Sequence, residues 1–128
     1  MENIDVDYAQ QKNIICLNAP EGNKDAVAEH ALGMLLCLFN NLCKANIETK
    51  QGKWLREANR GIELAGKTVG IIGCGNMGSA FAQRLLGFGV RILVYDKYKK
   101  NFGTNTIIET TLNQIFAEVN RSRNGGHA

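Results

Sequence analysis

The sequence predicts an α/β fold built on a doubly wound parallel sheet, and three observations support it. A short β-branched run, Thr68-Val69-Gly70-Ile71-Ile72, feeds directly into Gly73-Cys74-Gly75-Asn76-Met77-Gly78. A helical pattern marked by Ala80, Phe81, Leu85 and Leu86 leaves the glycines. A second strand-like run, Val90-Arg91-Ile92-Leu93-Val94-Tyr95, then ends on Asp96. Spaced glycines alone are a weak signal. Strand, turn, helix and second strand, with an acid about 20 residues past the glycines, make up the order of a Rossmann-like dinucleotide-binding unit.

Each residue of that unit has a physical reason. Gly73 allows the tight turn out of the strand, Gly75 lets a diphosphate approach the backbone, and Gly78 permits close packing of the new helix on the sheet. The first free N–H groups of the helix, around Asn76 and Met77, face the phosphates, where the helix dipole favours negative charge. Asp96 can accept hydrogen bonds from the adenosine ribose hydroxyls and would repel a 2′-phosphate. NAD is therefore the expected cofactor, in preference to NADP.

The remaining elements follow in order. Residues 6–11 read as a short helix, and Ile14-Ile15-Cys16-Leu17 as a brief strand. The loop Asn18-Ala19-Pro20-Glu21-Gly22-Asn23 ends on a plausible N-cap, Asn23, for a helix over residues 24–42. From Ala31 to Phe39 that helix is apolar nearly all round, so it must be covered on several sides. Its apolar run is far shorter than the ~20 residues of a membrane span, and no membrane partner is expected. Residues 44–60 are polar, with Trp54 alone among charged neighbours, packed either on its own domain or on a partner. After Asp96 come a loop, a short strand at 106–108, a helix over 112–119, and a polar tail over 121–128 that is expected to be disordered.

Composition narrows the function classes. Fifteen basic against twelve acidic residues is too mild a balance to imply nucleic acid. The basic cluster Lys97, Lys99 and Lys100 reads as a solvated loop. The four cysteines show no C-x-x-C pair, and no histidine stands at zinc-ligand spacing, so no metal site is expected. Cys37 and Cys43 read as small buried hydrophobes. Cys74 reads as a partly exposed turn residue at a helix N-terminus, a place that lowers thiol pKa. No signal peptide is visible after Met1, and a reduced, cytoplasmic setting is expected.

Taken together, Asn18-Ala19-Pro20 with Asn23, Ala28-Glu29-His30-Ala31, Trp54, Glu63-Leu64-Ala65-Gly66-Lys67, the glycine motif and Gly87-Phe88-Gly89-Val90 leading to Tyr95-Asp96 resemble the D-isomer-specific 2-hydroxyacid dehydrogenases. The branch acting on 3-phosphoglycerate is the nearest, and the resemblance runs from about Ile4 to Val119. It implies that residues 1–20 end a substrate-domain segment. Residues 21–43 would cross between domains and form a homodimer interface, and 44–119 would begin the NAD-binding domain. It also implies cofactor contacts at Gly73, Gly75, Asn76, Met77, Gly78 and Asp96. Asn23 would sit at the active-site cleft, though an N-cap role accounts for an Asn there equally well.

The same resemblance implies a catalytic Arg, Glu and His, the Glu raising the basicity of the His. Those positions lie beyond the chain end, and His30 matches a crossing-helix position instead. No catalytic residue is expected within the chain. It is expected to be a fragment lacking both ends, with residues 120–128 outside the family pattern, as a frameshift or truncated gene would produce. One alternative is a non-catalytic NAD-binding or oligomerising module. Another is pyrroline-5-carboxylate reductase, whose similar glycine motif stands near its N-terminus.

Overall fold

The computed structural model describes residues 3–124 and holds five helices and three strands among them. In chain order these are α1 (Val6–Gln11), α2 (Lys24–Phe39), α3 (Leu42–Lys50), β1 (Thr68–Ile72), α4 (Asn76–Leu85), β2 (Arg91–Tyr95), β3 (Ile107–Glu109) and α5 (Leu112–Asn124). A single 3₁₀ turn, Leu86–Phe88, follows α4. The strands form one parallel sheet in the order β1-β2-β3, with Ile71 opposite Val94 and Leu93 opposite Ile108.

Side-chain alternation along the strands assigns the layers. Ile71 on β1, with Ile92 and Val94 on β2, faces a cluster that takes Ala82 and Leu85 from α4 and Leu32 and Leu35 from α2. Gly70 faces the other way, against α5: a Cβ there would lie 2.5 Å from Ile115 Cγ2. β2 is covered on both sides, and Ile92, Leu93 and Val94 are fully buried. A continuous apolar run is what a parallel strand between two helical layers requires. Each such side chain contributes roughly 1.5–3 kcal/mol by leaving water. Arg84 ties α4 to α2 through Asp25 (3.0 Å) and Glu29 (3.6 Å), and Arg91 ties β2 to Glu118 of α5 (3.0 Å).

Several expectations are corrected. Residues 14–17 form no strand, since no described segment lies alongside to complete a ladder; Ile15 is 82% and Leu17 86% exposed. The long helix stops at Phe39 instead of running to Leu42. Asn41 takes the left-handed conformation (φ 51°), Asn40 Nδ2 donates to the Leu36 carbonyl (3.0 Å), and α3 departs at 58°. Asparagine visits that conformation at little cost and competes for helix carbonyls, so the pair ends the helix. α3 lies in the stretch expected to be a polar linker, and its Glu48 accepts a hydrogen bond from Asn59 Nδ2 (2.5 Å). α5 continues to Asn124, past Val119, so part of the expected disordered tail is helical. The rest of that tail, 125–128, lies outside the described residues.

Cysteine burial also differs. Cys37 is only partly covered, Cys43 is exposed and Cys74 is buried. Trp54 is 82% exposed, so it packs little on its own chain. Among the described residues no single helix is long and apolar enough to cross a membrane, although α2 and α3 together, bent by 58°, pass on length and composition.

Candidate nucleotide-binding site

The site forms where β1 ends and α4 begins. Gly73 has φ +104°, which L side chains rarely adopt, and its N–H donates to the Tyr95 carbonyl (2.7 Å). This bond draws the turn against the carboxyl end of β2. A Cβ on Gly78 would drive into the Gly73 carbonyl oxygen, so the helix can seat on the turn only with glycine at that position.

Gly75 differs from both. It occupies the N-cap position of α4 in ordinary extended conformation (φ −76°, ψ −166°), and a Cβ there would meet nothing within 4 Å. Neither backbone geometry nor internal packing asks for glycine. Gly75 offers no capping side chain, so the first-turn N–H groups around Asn76 and Met77 have no side-chain cap. A bare helix N-terminus beside a spare cradle suits an anionic diphosphate. Asn76 is exposed, and its Nδ2 donates to the Pro20 carbonyl (3.2 Å), holding the N-terminal loop beside the turn. Met77 is on the rim, 36% exposed.

Asp96 does more than its sequence position indicates. Cys74 N–H donates to its Oδ2 (2.6 Å), and the Tyr98 and Lys99 amides donate to its Oδ1 (2.8 and 2.7 Å). The amides of Lys99, Cys74 and Tyr98, in that order of effect, lower its pKa from 3.8 to about 2; burial opposes them and the Lys99 charge adds a little. Two donors occupy Oδ1 and one occupies Oδ2, so Oδ2 keeps acceptor capacity for one further donor. The acid thus clamps the glycine turn to the loop after β2. Only the turn–acid spacing hinted at this in the sequence.

The thiol of Cys74 is not the partly exposed group expected. It points inward, with Sγ 3.5 Å from Ser79 Oγ, and Ser79 Oγ donates to the Cys74 carbonyl (3.3 Å). Asn23 stands at the N-cap position of α2 but makes no side-chain capping bond, so the capping explanation for an Asn there fails. His30 is exposed on α2, and the other histidine, His127, lies outside the described residues.

Residues 32–120 match the family model of the D-isomer specific 2-hydroxyacid dehydrogenase NAD binding domain. The chain belongs to this family. Hydroxypyruvate reductase of Thermotoga maritima is 43% identical over 99 residues, which is 77% of this chain and 32% of the reductase. D-3-phosphoglycerate dehydrogenase of Bacillus subtilis is 40% identical over 111 residues, covering 83% of this chain and 21% of that enzyme. The apo-structure of D-lactate dehydrogenase from Escherichia coli superposes with a TM-score of 0.79 at 32% identity, over 92% of this chain and 38% of the other. The chain thus spans between a fifth and a third of the length of these two curated relatives. As a 2-hydroxyacid dehydrogenase NAD-binding domain it has the Rossmann-like sheet expected, and the pyrroline-5-carboxylate reductase alternative falls away.

Proposed function

We propose that this chain is the nucleotide-holding part of an enzyme that moves hydride between a D-2-hydroxy acid and NAD. The observation that carries the proposal is Gly75, a glycine that the fold does not need, placed where a diphosphate would need it. Gly73, Gly75 and Gly78 shape the cradle, the Asn76 and Met77 amides receive the phosphates, and the remaining acceptor site on Asp96 takes a ribose hydroxyl. NAD, when bound, supplies the hydride acceptor. The Arg, Glu and His that the family resemblance implies match no position in these 128 residues, so the chain alone holds nucleotide without oxidising substrate. The names of the relatives support a small 2-hydroxy or 2-keto acid, with 3-phosphoglycerate and hydroxypyruvate as the candidates.

The finer organisation belongs to the same proposal. Residues 1–20 end a substrate-binding segment, 21–43 cross between domains, 44–119 begin the nucleotide domain, and Asn23, free of capping duty, faces the cleft. α2 pairs with its counterpart in a second copy. Leu32 and Leu35 turn inward to the core, so the stripe left for pairing is Val27, Met34 and Leu38. Four free cysteines are in keeping with a reducing, cytoplasmic setting.

Calorimetric titration with NAD tests the central claim. The unmutated chain should bind. Gly75→Ala should keep the same melting temperature yet lose at least about ten-fold in affinity, or ~1.4 kcal/mol. Unchanged binding in Gly75→Ala would show that the cradle holds no diphosphate. NAD binding without dehydrogenase activity, even in the full-length protein, would favour the non-catalytic module instead.

A further inference from the structure

The side chain of Asn76 ties the glycine turn to a distant part of the chain. Its Nδ2 donates to the carbonyl of Pro20, 56 residues earlier (3.2 Å). The loop that receives this bond, residues 18–23, is exposed throughout and gains little from burial. Within it, Gly22 N–H donates to the Ala19 carbonyl (3.0 Å), and Lys24 N–H reaches the Glu21 carbonyl only at 3.4 Å. Among the described residues no other hydrogen bond or ion pair joins residues 18–23 to α4 or to the sheet. The next anchor is Arg84 of α4, which grips Asp25 (3.0 Å) and Glu29 (3.6 Å) at the start of α2. Asn23 makes no side-chain capping bond, so α2 does not hold its side chain.

An asparagine amide carries two N–H donors. Pro20 takes one, and the other meets no acceptor among the described residues. Asn76 is also the first residue of α4, at the helix end where the diphosphate is proposed to lie. One neutral hydrogen bond at an exposed site adds little stability in water. A bond to an anionic oxygen is roughly twice as strong as a neutral one. An amide already held by a diphosphate has lost its rotamer freedom, so its second bond forms at less cost in entropy.

We infer that Asn76 is a positioning residue that bridges a bound diphosphate and the Pro20 carbonyl, so that nucleotide binding fastens the loop carrying Asn23. This rests on the nucleotide-binding reading above and adds to it a route from the cofactor to the N-terminal arm. By linkage, the fastened loop raises nucleotide affinity by the same factor.

The test is amide hydrogen exchange of the whole chain, read at Gly22 and Lys24, without nucleotide and at nucleotide concentrations that calorimetry shows to be saturating. NAD should slow both amides by at least about three-fold, and ADP, which has the diphosphate without the nicotinamide, should do the same. Two variants remove the bridge. Asn76→Ala has no donor, and the single hydroxyl hydrogen of Asn76→Ser can serve the diphosphate but not Pro20 as well. Each should need more NAD to saturate, and once saturated should show no response at Gly22 and Lys24 while Met77 N–H is still protected. Arg84→Gln, which frees α4 from Asp25 and Glu29, should leave the response in place.

A loop that ignores bound NAD in the unmutated chain would overturn the bridge while leaving the nucleotide site intact. A full response in either Asn76 variant would overturn it too. So would loss of the response in Arg84→Gln, since the coupling would then run through α2. A response to NAD but not to ADP would remove the diphosphate as its cause. Absence of NAD binding would remove both this proposal and the reading beneath it.

Discussion

In the β1–α4–β2 unit, Leu85, Ile92, Leu93 and Val94 are wholly shielded from solvent, whereas along the N-terminal arm Ile15, Leu17, Leu38 and Trp54 stand more than two-thirds exposed. Apolar residues are plentiful in both regions. In the first region two parallel strands and their connecting helix bring most apolar faces together within about thirty residues of chain, and α2 and α5 cover the rest. The second leans mainly on α4. α2 buries Ala28 there and turns Leu32 and Leu35 to the core, but Val27, Met34 and Leu38 lie along one uncovered stripe. A local supersecondary unit supplies most of its own cover and takes the rest from α2 and α5, whereas a long apolar helix depends on its neighbours for nearly all of it.

The sharpest test of that difference is truncation on each side. Leu85→Ala should cost about 2–5 kcal/mol, because a cavity opens in a packed centre, while Leu38→Ala should stay within roughly 0.5 kcal/mol in the monomer. Chemical denaturation of both variants checks it, and equal losses would erase the distinction between the regions. A second test probes the turn itself. Gly78→Ala forces a Cβ onto the Gly73 carbonyl, and overpacking of this kind should destabilise by ~1–3 kcal/mol. Gly75→Ala beside it should be nearly silent in stability, so the two neighbouring glycines separate fold from ligand.

Acid stability gives a third comparison. The folded pKa of Asp96, about 2, lies below its ordinary 3.8. Its contribution is therefore fully present above the unfolded value and is lost as pH falls through about 2. The unmutated chain should lose denaturant resistance between pH ~4 and ~2 more steeply than Asp96→Asn. Parallel curves would mean that the amide clamp contributes nothing. In the arm, by contrast, the smallest intrinsic effect is expected to produce the clearest change in assembly. Met34→Asp with Leu38→Asp should leave the monomer's stability nearly untouched yet abolish a dimer in light scattering. A monomer before mutation would remove the pairing role of α2. Incubation with NAD and 3-phosphoglycerate should yield no NADH from this chain, and sustained turnover lost in His30→Ala would overturn the assignment of His30 to a bystander position.

Much of this was legible from residue order. Thr68–Ile72, the three glycines, the helix to Leu85 and Asp96 are governed by local spacing: periodicity of two in the strands, 3.6 in the helix, and glycine where a Cβ cannot go. Of the three glycines, Gly73 answers to a positive φ and Gly78 to a Cβ collision, whereas Gly75 answers to neither. The demands on strand, helix, Gly73 and Gly78 act over a few residues, so a linear reading can recover them. The break at Asn40-Asn41 and helix α3 were not recovered, because the apolar pattern runs on past the break and the stretch behind it is polar. Only the fold brings Glu48 to Asn59 and Asn41 to the Arg60 carbonyl (3.4 Å).

By itself the sequence determined the sheet's direction, the glycine turn, the acid that follows it and the family that uses them. Tertiary structure alone decided which way that acid points. Its partners, Cys74 on one side and Tyr98 and Lys99 on the other, meet only when β2 is laid beside β1, and no spacing along the chain records that Oδ2 faces the turn while Oδ1 faces the loop. It also decided that Ile14 to Leu17 join no sheet among the described residues, since strand propensity becomes a strand only where a neighbour supplies the other half of the hydrogen bonds.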